Sequence, residues 1–368
     1  MTMQVIVNRS ALVEVLNMAS AIAASRTPRE LLKCVRLTTV DGSLLVGATD
    51  LEVALRAEVR QVEVKAPGAL LVPADKLMQI ARESADETLT IESDDLACHI
   101  RGSDSHFEIY GHDPKEFPPV PDLEGGPDVE VDAVVLASLI ERTLFAVAKE
   151  NTRYAINGVL WETKAKRLSL VATDGRRLAA ANGPVLRAAA GDQQMIVPAK
   201  TMQVLQRILP HVPEASPAGI RFSTNQVIIR AGLFVVSSPL VEGQFPKYED
   251  VIPKDTDKKI TLPTEEFHSA VRRAALLASD QSKGVRLAFD SGVLVLSSRT
   301  PEQGEATVSM RLDYEGEALQ IGFNPAFLAD ALRVVSGPTV VLELKEANRP
   351  GVLKVGSDFL YVIMPVSL

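Results

Sequence analysis

Two aspartates, five histidines and two cysteines hold most of the reactive chemistry in this sequence of 368 residues. Asp50 and Asp174 each follow an Ala-Thr pair, and as two carboxylates they would suit general acid–base hydrolysis. They occupy equivalent places in two repeated segments, however, so they fall in different domains, and a turn role is favoured for both. His99, His106, His112, His211 and His268 are scattered. Cys98 and His99 are adjacent, but no second ligand pair stands at zinc spacing, so no metal site is expected and His99 and His106 read as strand or loop residues. Gly125-Gly126 has neither the spacing nor the following lysine of a phosphate loop, and no Gly-x-Ser-x-Gly elbow occurs. With aromatics at 5% and one tryptophan, Trp161, stacking on single-stranded bases has little support. The expectation is a protein without catalytic residues, metal or cofactor.

The elements that would position such residues come in threes. Leu44–Asp50 returns as Leu168–Asp174 at a lag of 124, and Val72-Pro73-Ala74 returns as Val197-Pro198-Ala199 at 125. A fainter copy comes third, with Leu294–Ser298 lying 126 beyond Leu168 and Asn324-Pro325-Ala326 lying 127 beyond Val197. One lag shared by unrelated landmarks means one folding unit used three times, each the size of a domain. Each block opens with an amphipathic helix: Leu12, Val15, Leu16, Ala19, Ile22 and Ala23; then Leu136, Leu139, Ile140, Thr143, Leu144 and Val147; then Phe267, Ala270, Val271, Ala274, Leu277 and Ala278. Thr264, ahead of Glu265 and Glu266, reads as a cap for the third. A second helix per block starts at Pro73, Pro198 and Pro325, each placed in the first turn. Period-two patterns over 51–60, 167–171, 226–230, 285–289 and 292–297 predict strands, and Asp41-Gly42, Asp174-Gly175 and Ser291-Gly292 predict turns. The fold class is therefore α+β, three tandem repeats of two helices plus an antiparallel sheet. Proline-rich joints at Phe117–Pro121 and Phe245–Pro253 put the domains at 1–125, 126–254 and 255–368.

A net charge of −8 argues against nucleic acid until it is divided. The six helical windows (9–26, 73–84, 133–149, 198–209, 264–279 and 325–335) hold eleven Lys/Arg and seven Asp/Glu, a surplus of four positive charges on an otherwise acidic body. That suits a face that tolerates phosphates, although Lys and Arg are also simply good helix formers. No run of 18 apolar residues is present, the N-terminus lacks signal-peptide character, and two thiols suit a reducing, cytoplasmic setting. The ending Tyr361–Leu368 is apolar. It reads as a final strand followed by Met364-Pro365-Val366, an exposed and adaptable binding surface.

Tyr154…Asn157-Gly158, Ala172–Gly175 with Arg177-Leu178, Phe245-Pro246…Tyr248, Gly284–Leu287, Gly322-Phe323-Asn324 and Tyr361–Pro365 together resemble the bacterial β sliding clamps, the processivity subunits of DNA polymerase III, over the whole chain. The resemblance implies a DNA clamp fold, a head-to-tail homodimeric ring with helices lining its hole, and duplex DNA held topologically through weak phosphate contacts. It implies DNA-facing roles for Arg26, Lys76, Arg153, Tyr154, Lys200 and Arg207. It also implies a groove that takes short linear peptides of the polymerase III alpha subunit, clamp-loader subunits, other polymerases and repair proteins. The groove positions are Ile156, Thr173, Gly175, Arg176, Arg177, Leu178, Pro246, Val251, Asn324, Val362, Met364, Pro365, Val366 and Leu368. Arg176, Asp250, Ser282 and Ser367 depart from the family pattern. The implied setting is cytoplasmic, at the bacterial nucleoid. Two rivals remain: a hydrolase using Asp50, Asp174 or histidines, and a repeat-built protein scaffold that does not encircle DNA.

Overall fold

A computed structural model describes residues 3–23, 27–149, 155–278, 284–301 and 303–367. Six α-helices occur among them: α1 Arg9–Ile22, α2 Ala74–Glu83, α3 Ala133–Leu144, α4 Ala199–Ile208, α5 Thr264–Ala275 and α6 Pro325–Arg333. The apolar spacing decides which face each one buries. Helix α1 buries Leu12, Val15, Leu16, Ala19 and Ile22, and α5 buries Phe267, Ala270, Val271 and Ala274. The stripes run on past the helices in all three blocks, Ala23 standing just after α1. Val147 lies beyond the end of α3 and Leu277 beyond the end of α5, because each chain turns off there into short hydrogen-bonded turns.

Several local expectations are corrected. Pro73 and Pro198 close the preceding strands, Ala69–Pro73 and Gln193–Pro198, and the helices start one residue later. A proline at the end of a ladder costs no needed N–H. Pro325 does sit in the first turn, behind Asn324, whose Oδ1 accepts from Ala326 N at 2.9 Å. Thr264 caps nothing; its hydroxyl donates to the Gly337 carbonyl at 2.7 Å. The alternation over 51–60 forms a strand only at Ala54–Val59, because Asp50 Oδ1 accepts from the amides of Glu52 and Val53 and bends the chain first.

The described chain forms two compact units. The first comprises Met1–Ala137, Val185–Ala190 and Lys200–Leu240. It holds a five-stranded antiparallel sheet ordered Val62–Ala66, Gln4–Asn8, Thr88–Asp94, Ala97–Arg101, His106–Tyr110. It also holds an eight-stranded sheet running Val129–Asp132, Pro217–Phe222, Gln226–Ala231, Phe234–Pro239, Ala54–Val59, Ser43–Thr49, Cys34–Val40, Ala69–Pro73. The register Phe234↔Ala57 joins strands of the first and second sequence repeats. The second unit comprises Ser138–Pro184, Gly191–Ala199 and Val241–Leu368. Its eight-stranded sheet runs Gln193–Pro198, Gly158–Lys164, Arg167–Thr173, Arg177–Pro184, Phe359–Ile363, Gly351–Val355, Thr339–Leu344, Lys258–Pro263. Its four-stranded sheet runs Gly304–Arg311, Val293–Thr300, Val285–Asp290, Leu319–Phe323. The central repeat thus lends half its strands to each large sheet.

Candidate functional site: a peptide groove and a basic helix face

The Thr-Asp landmark builds a turn twice. After strand Arg167–Thr173, Asp174 Oδ1 accepts from the amides of Arg176 and Arg177 at 3.0 and 3.1 Å. Thr173 Oγ1 donates to the Arg177 carbonyl at 2.7 Å and accepts from Gly175 N at 3.1 Å. Gly175 sits at φ +84°, a conformation glycine adopts without strain. The first repeat makes the same turn with Thr49 and Asp50, but places Leu51 at φ +76°. Both aspartates are therefore structural, as the repeat argument favoured.

The two copies diverge at the residue that closes the second turn. Arg177 has its side chain 7% exposed and directs it into the unit. Its Nε donates to Asp174 at 2.9 Å, one terminal nitrogen to Asp330 at 2.8 Å and the other to the Phe145 carbonyl at 2.7 Å. The guanidinium also lies 4.3 Å from the Phe327 ring centroid and 5.5 Å from that of Phe145. Burial opposes its charge, but Asp330 and Asp174 outweigh it and hold the group above its ordinary pKa. Arg177 organises the turn from inside; it does not offer its charge at the surface.

Leu178, the next residue, enters the apolar surface. Strand Arg177–Pro184 pairs with Phe359–Ile363 so that Leu178 lies opposite Val362. These two pack with Ala155, Leu160, Val171 and Ile196, and the partly exposed side chains of Val241, Phe245, Tyr248 and Ile252 cover them. Phe245 and Tyr248 meet edge to face at 6.5 Å. Tyr248 donates to Glu162 Oε2 at 2.6 Å, and burial, then the Glu162 carboxylate, push its hydroxyl pKa up. The Tyr248→Phe variant is expected to lose about 1.5–3 kcal/mol of stability, the usual net worth of a bond to a carboxylate, in a denaturant titration.

The tail lies beside this surface. Met364 N donates to the Arg176 carbonyl at 3.0 Å and Val366 N to the Gly322 carbonyl at 2.9 Å. These bonds fix Met364, 44% exposed, next to the exposed Arg176. Val251 is 54% exposed on the 3₁₀ turn Tyr248–Val251. Pro246, Pro365 and Val366 are half-buried, and Asn324 is taken up in capping α6. Ile156 is buried, and its carbonyl accepts from Ala148 N at 3.1 Å. Leu368 and Ser282 lie outside the described residues. Val241, Phe245, Tyr248 and Ile252 form part of this surface although sequence reasoning does not single them out for it. Phe245 and Tyr248 are visible there as the landmark of a repeated joint and as part of the motif that carries the clamp resemblance, but not as lining of the groove.

Of the proposed DNA-facing residues, Arg26, Arg153 and Tyr154 lie outside the described residues. Lys76 on α2 and Arg207 on α4 are exposed. Lys200, in the first turn of α4, forms ion pairs with Asp50 and Glu52. Partial burial works against its charge, but the two carboxylates prevail and raise its pKa. Its charge is thus largely balanced within the chain, by partners too distant in sequence to be anticipated. Both thiols are buried and held protonated: burial, with Glu30 and Asp75 adding, pushes Cys34 up to about 11, and burial alone pushes Cys98 up to about 12. No helix among the described residues is long and apolar enough to cross a membrane.

Tandem α+β repeats that share large sheets give the chain the fold of the solved DNA polymerase sliding clamps. The DNA polymerase III beta subunit family matches the chain in three parts: its N-terminal domain at residues 3–121, its central domain at 130–247 and its C-terminal domain at 249–367. The chain belongs to this family, the beta sliding clamps of bacterial DNA replication, which are non-catalytic processivity factors. It is 33% identical to the beta sliding clamp of Pseudomonas putida over 365 residues, 98% of this chain and 99% of that one. It is 32% identical to that of Vibrio cholerae over 371 residues, all of both chains. Among solved structures it is similar to the DNA polymerase sliding clamp of Bacillus subtilis, at TM-score 0.94 and 26% identity. It is also similar to the DnaN sliding clamp of Pseudomonas aeruginosa bound to griselimycin, at 0.93 and 30%; both matches cover 100% of each chain.

Proposed function

We propose that two chains close head to tail into a ring around duplex DNA. The ring tethers the polymerase III alpha subunit, the clamp loader, other polymerases and repair proteins through peptides seated over Leu178 and Val362. The observation that carries the ring is a pair of unlike sheet edges in one chain. Strand His106–Tyr110 ends the five-stranded sheet with Phe107 and Tyr110 41% and 78% exposed. Strand Gly304–Arg311 ends the four-stranded sheet and packs against α5, after which Leu276 stands 77% exposed. By contrast the opposite edge of the five-stranded sheet, Val62–Ala66, carries the ion-paired Glu63 and Lys65, a common guard against pairing. Two different edges that pair with each other give a heterologous contact, which closes into a ring when the rotation permits. The exposed Lys76 and Arg207 support weak, sequence-independent phosphate contact. The three domains divide near residues 125 and 254, and the working site is the cytoplasm at the nucleoid.

Retention on DNA tests this reading. Loaded onto a closed circular plasmid, the protein should stay bound through a rise in salt, and cutting the circle should release it, because a ring leaves only by opening or by sliding off an end. Native mass should be about twice the 39.7 kDa of one chain. Equal loss from circular and linear DNA, or a monomeric mass, would overturn the ring and favour a scaffold that does not encircle DNA.

A further inference from the structure

The hairpin Ala97–Arg101 and His106–Tyr110 presents an unassigned set of ligand side chains. Cys98 and Ile100 point into the core, which leaves His99 and Arg101 on the outer face. The register places Glu92, His99 and Glu108 in one cross-strand row and Thr90, Arg101 and His106 in the next. Side chains opposed on one sheet face stand about 4.5–5.5 Å apart at Cβ, and diagonal neighbours remain within reach of long or aromatic groups. His99 and His106 are such diagonal neighbours. Nδ1 of His99 lies 3.2 Å from Nε2 of His106, with ring centroids 5.3 Å apart and planes tilted by 36°.

We propose that this face binds a divalent transition-metal ion of the imidazole-preferring kind, Zn2+ foremost, with His99 Nδ1 and His106 Nε2 as its first two ligands. Two imidazole nitrogens at bond lengths of about 2.0–2.1 Å and separated by 3.2 Å subtend about 100–106° at the metal, close to the tetrahedral angle. The pair therefore has the bite of a chelate before any backbone moves. Small rotations of two exposed rings would turn both lone pairs off the line between them and toward the ion. Among the described residues no three His, Cys, Asp or Glu side chains already converge, so the remaining positions belong to water and to a carboxylate that swings in. Glu108, opposite His99, is the better placed donor, because Arg101 already draws on Glu92 at 4.0 Å. The resulting His₂-carboxylate set is one that zinc accepts. Spacing concealed the pair, since the six residues between the two histidines include the hairpin turn and only the strand register brings them together.

The test uses the full chain, freed of metal by chelation and titrated with Zn2+ and with Mg2+ by calorimetry. One Zn2+ per chain should bind at an affinity on the order of micromolar, and Mg2+, which prefers oxygen ligands, should not compete. His99→Ala and His106→Ala should each weaken Zn2+ binding at least tenfold, while His112→Ala leaves it unchanged. In the unaltered protein the ring nitrogen resonances of His99 and His106 should shift together on adding Zn2+, a readout independent of how any variant folds. Absence of saturable Zn2+ binding, or binding indifferent to both His99→Ala and His106→Ala, would overturn the site and leave a plain ring-to-ring hydrogen bond. Because His106 begins the edge strand proposed to close the ring, the native mass of each variant is read beside its Zn2+ affinity, and a variant that stays dimeric but loses Zn2+ separates the metal site from ring closure.

Discussion

Arg177→Ala is expected to lower the thermal midpoint of the second compact unit by about 6–12 °C. That corresponds to about 3 kcal/mol in a unit of about 150–250 residues. Removing one member of a buried ion pair costs about 3–5 kcal/mol, because the partner is left charged and unpaired. The lower end applies here, since Asp330 is 33% exposed and Asp174 19% exposed, so water relieves part of the penalty. The Phe145 carbonyl also loses its donor, and two aromatic rings lose the cation between them. Arg177→Met tests which part matters. It restores most of the volume but no donor, so it should remain nearly as unstable as alanine if the hydrogen bonds carry the effect. Arg177→Lys should rescue little, since a single ammonium cannot serve three acceptors held in a planar fork. A midpoint within about 2 °C of the unaltered protein for Arg177→Ala would show that the turn holds without its guanidinium.

That network marks the boundary of what sequence can reveal. Helix faces are legible because burial follows a 3.6-residue period: Leu12 to Ile22 and Phe267 to Ala274 read directly as stripes and are buried as such. The repeated Thr-Asp is legible as a turn, because the carboxylate bonds amides two and three residues on. Partners distant in sequence leave no such trace. Asp330 lies 153 residues from Arg177, and Glu52 lies 148 from Lys200. Nothing in local spacing signals either pairing, so Arg177 reads as part of a surface it in fact turns away from, and Lys200 reads as an available cation. Sheets shared between repeats are hidden for the same reason, since the Phe234↔Ala57 and Leu178↔Val362 registers pair strands from different blocks. The resemblance to clamps supplies the groove positions, and the structure then sorts them. Leu178 and Val362 lie in one buried apolar cluster that would floor the proposed groove, Met364 and Val251 stand exposed, and Thr173, Arg177 and Asn324 hold the adjoining turn and helix start.

The sorting makes the groove testable apart from the fold. Met364→Ala combined with Leu178→Ala should weaken binding of a labelled peptide with a Leu or Phe anchor by roughly 30–100-fold, or about 2–3 kcal/mol, while the native mass stays that of a dimer. The two substitutions act through different free energies. Leu178 is 3% exposed and opposes Val362, so its truncation also opens a cavity and costs stability, about 2–5 kcal/mol for a buried leucine. Met364 is 44% exposed and its backbone N–H, not its side chain, makes the bond to Arg176, so Met364→Ala should leave the thermal midpoint within about 1 °C. The single Met364→Ala variant therefore isolates recognition. A thioether on a flexible, unbranched side chain adapts to an incoming anchor, and its loss should register mainly as faster peptide dissociation. If Met364→Ala binds the peptide as tightly as the unaltered chain, the tail is only the end of a strand, and the contact surface must lie wholly among Val241, Phe245, Tyr248 and Ile252. If instead the dimer mass falls in the double variant, the surface around Leu178 supports chain assembly, and its assignment to peptides fails.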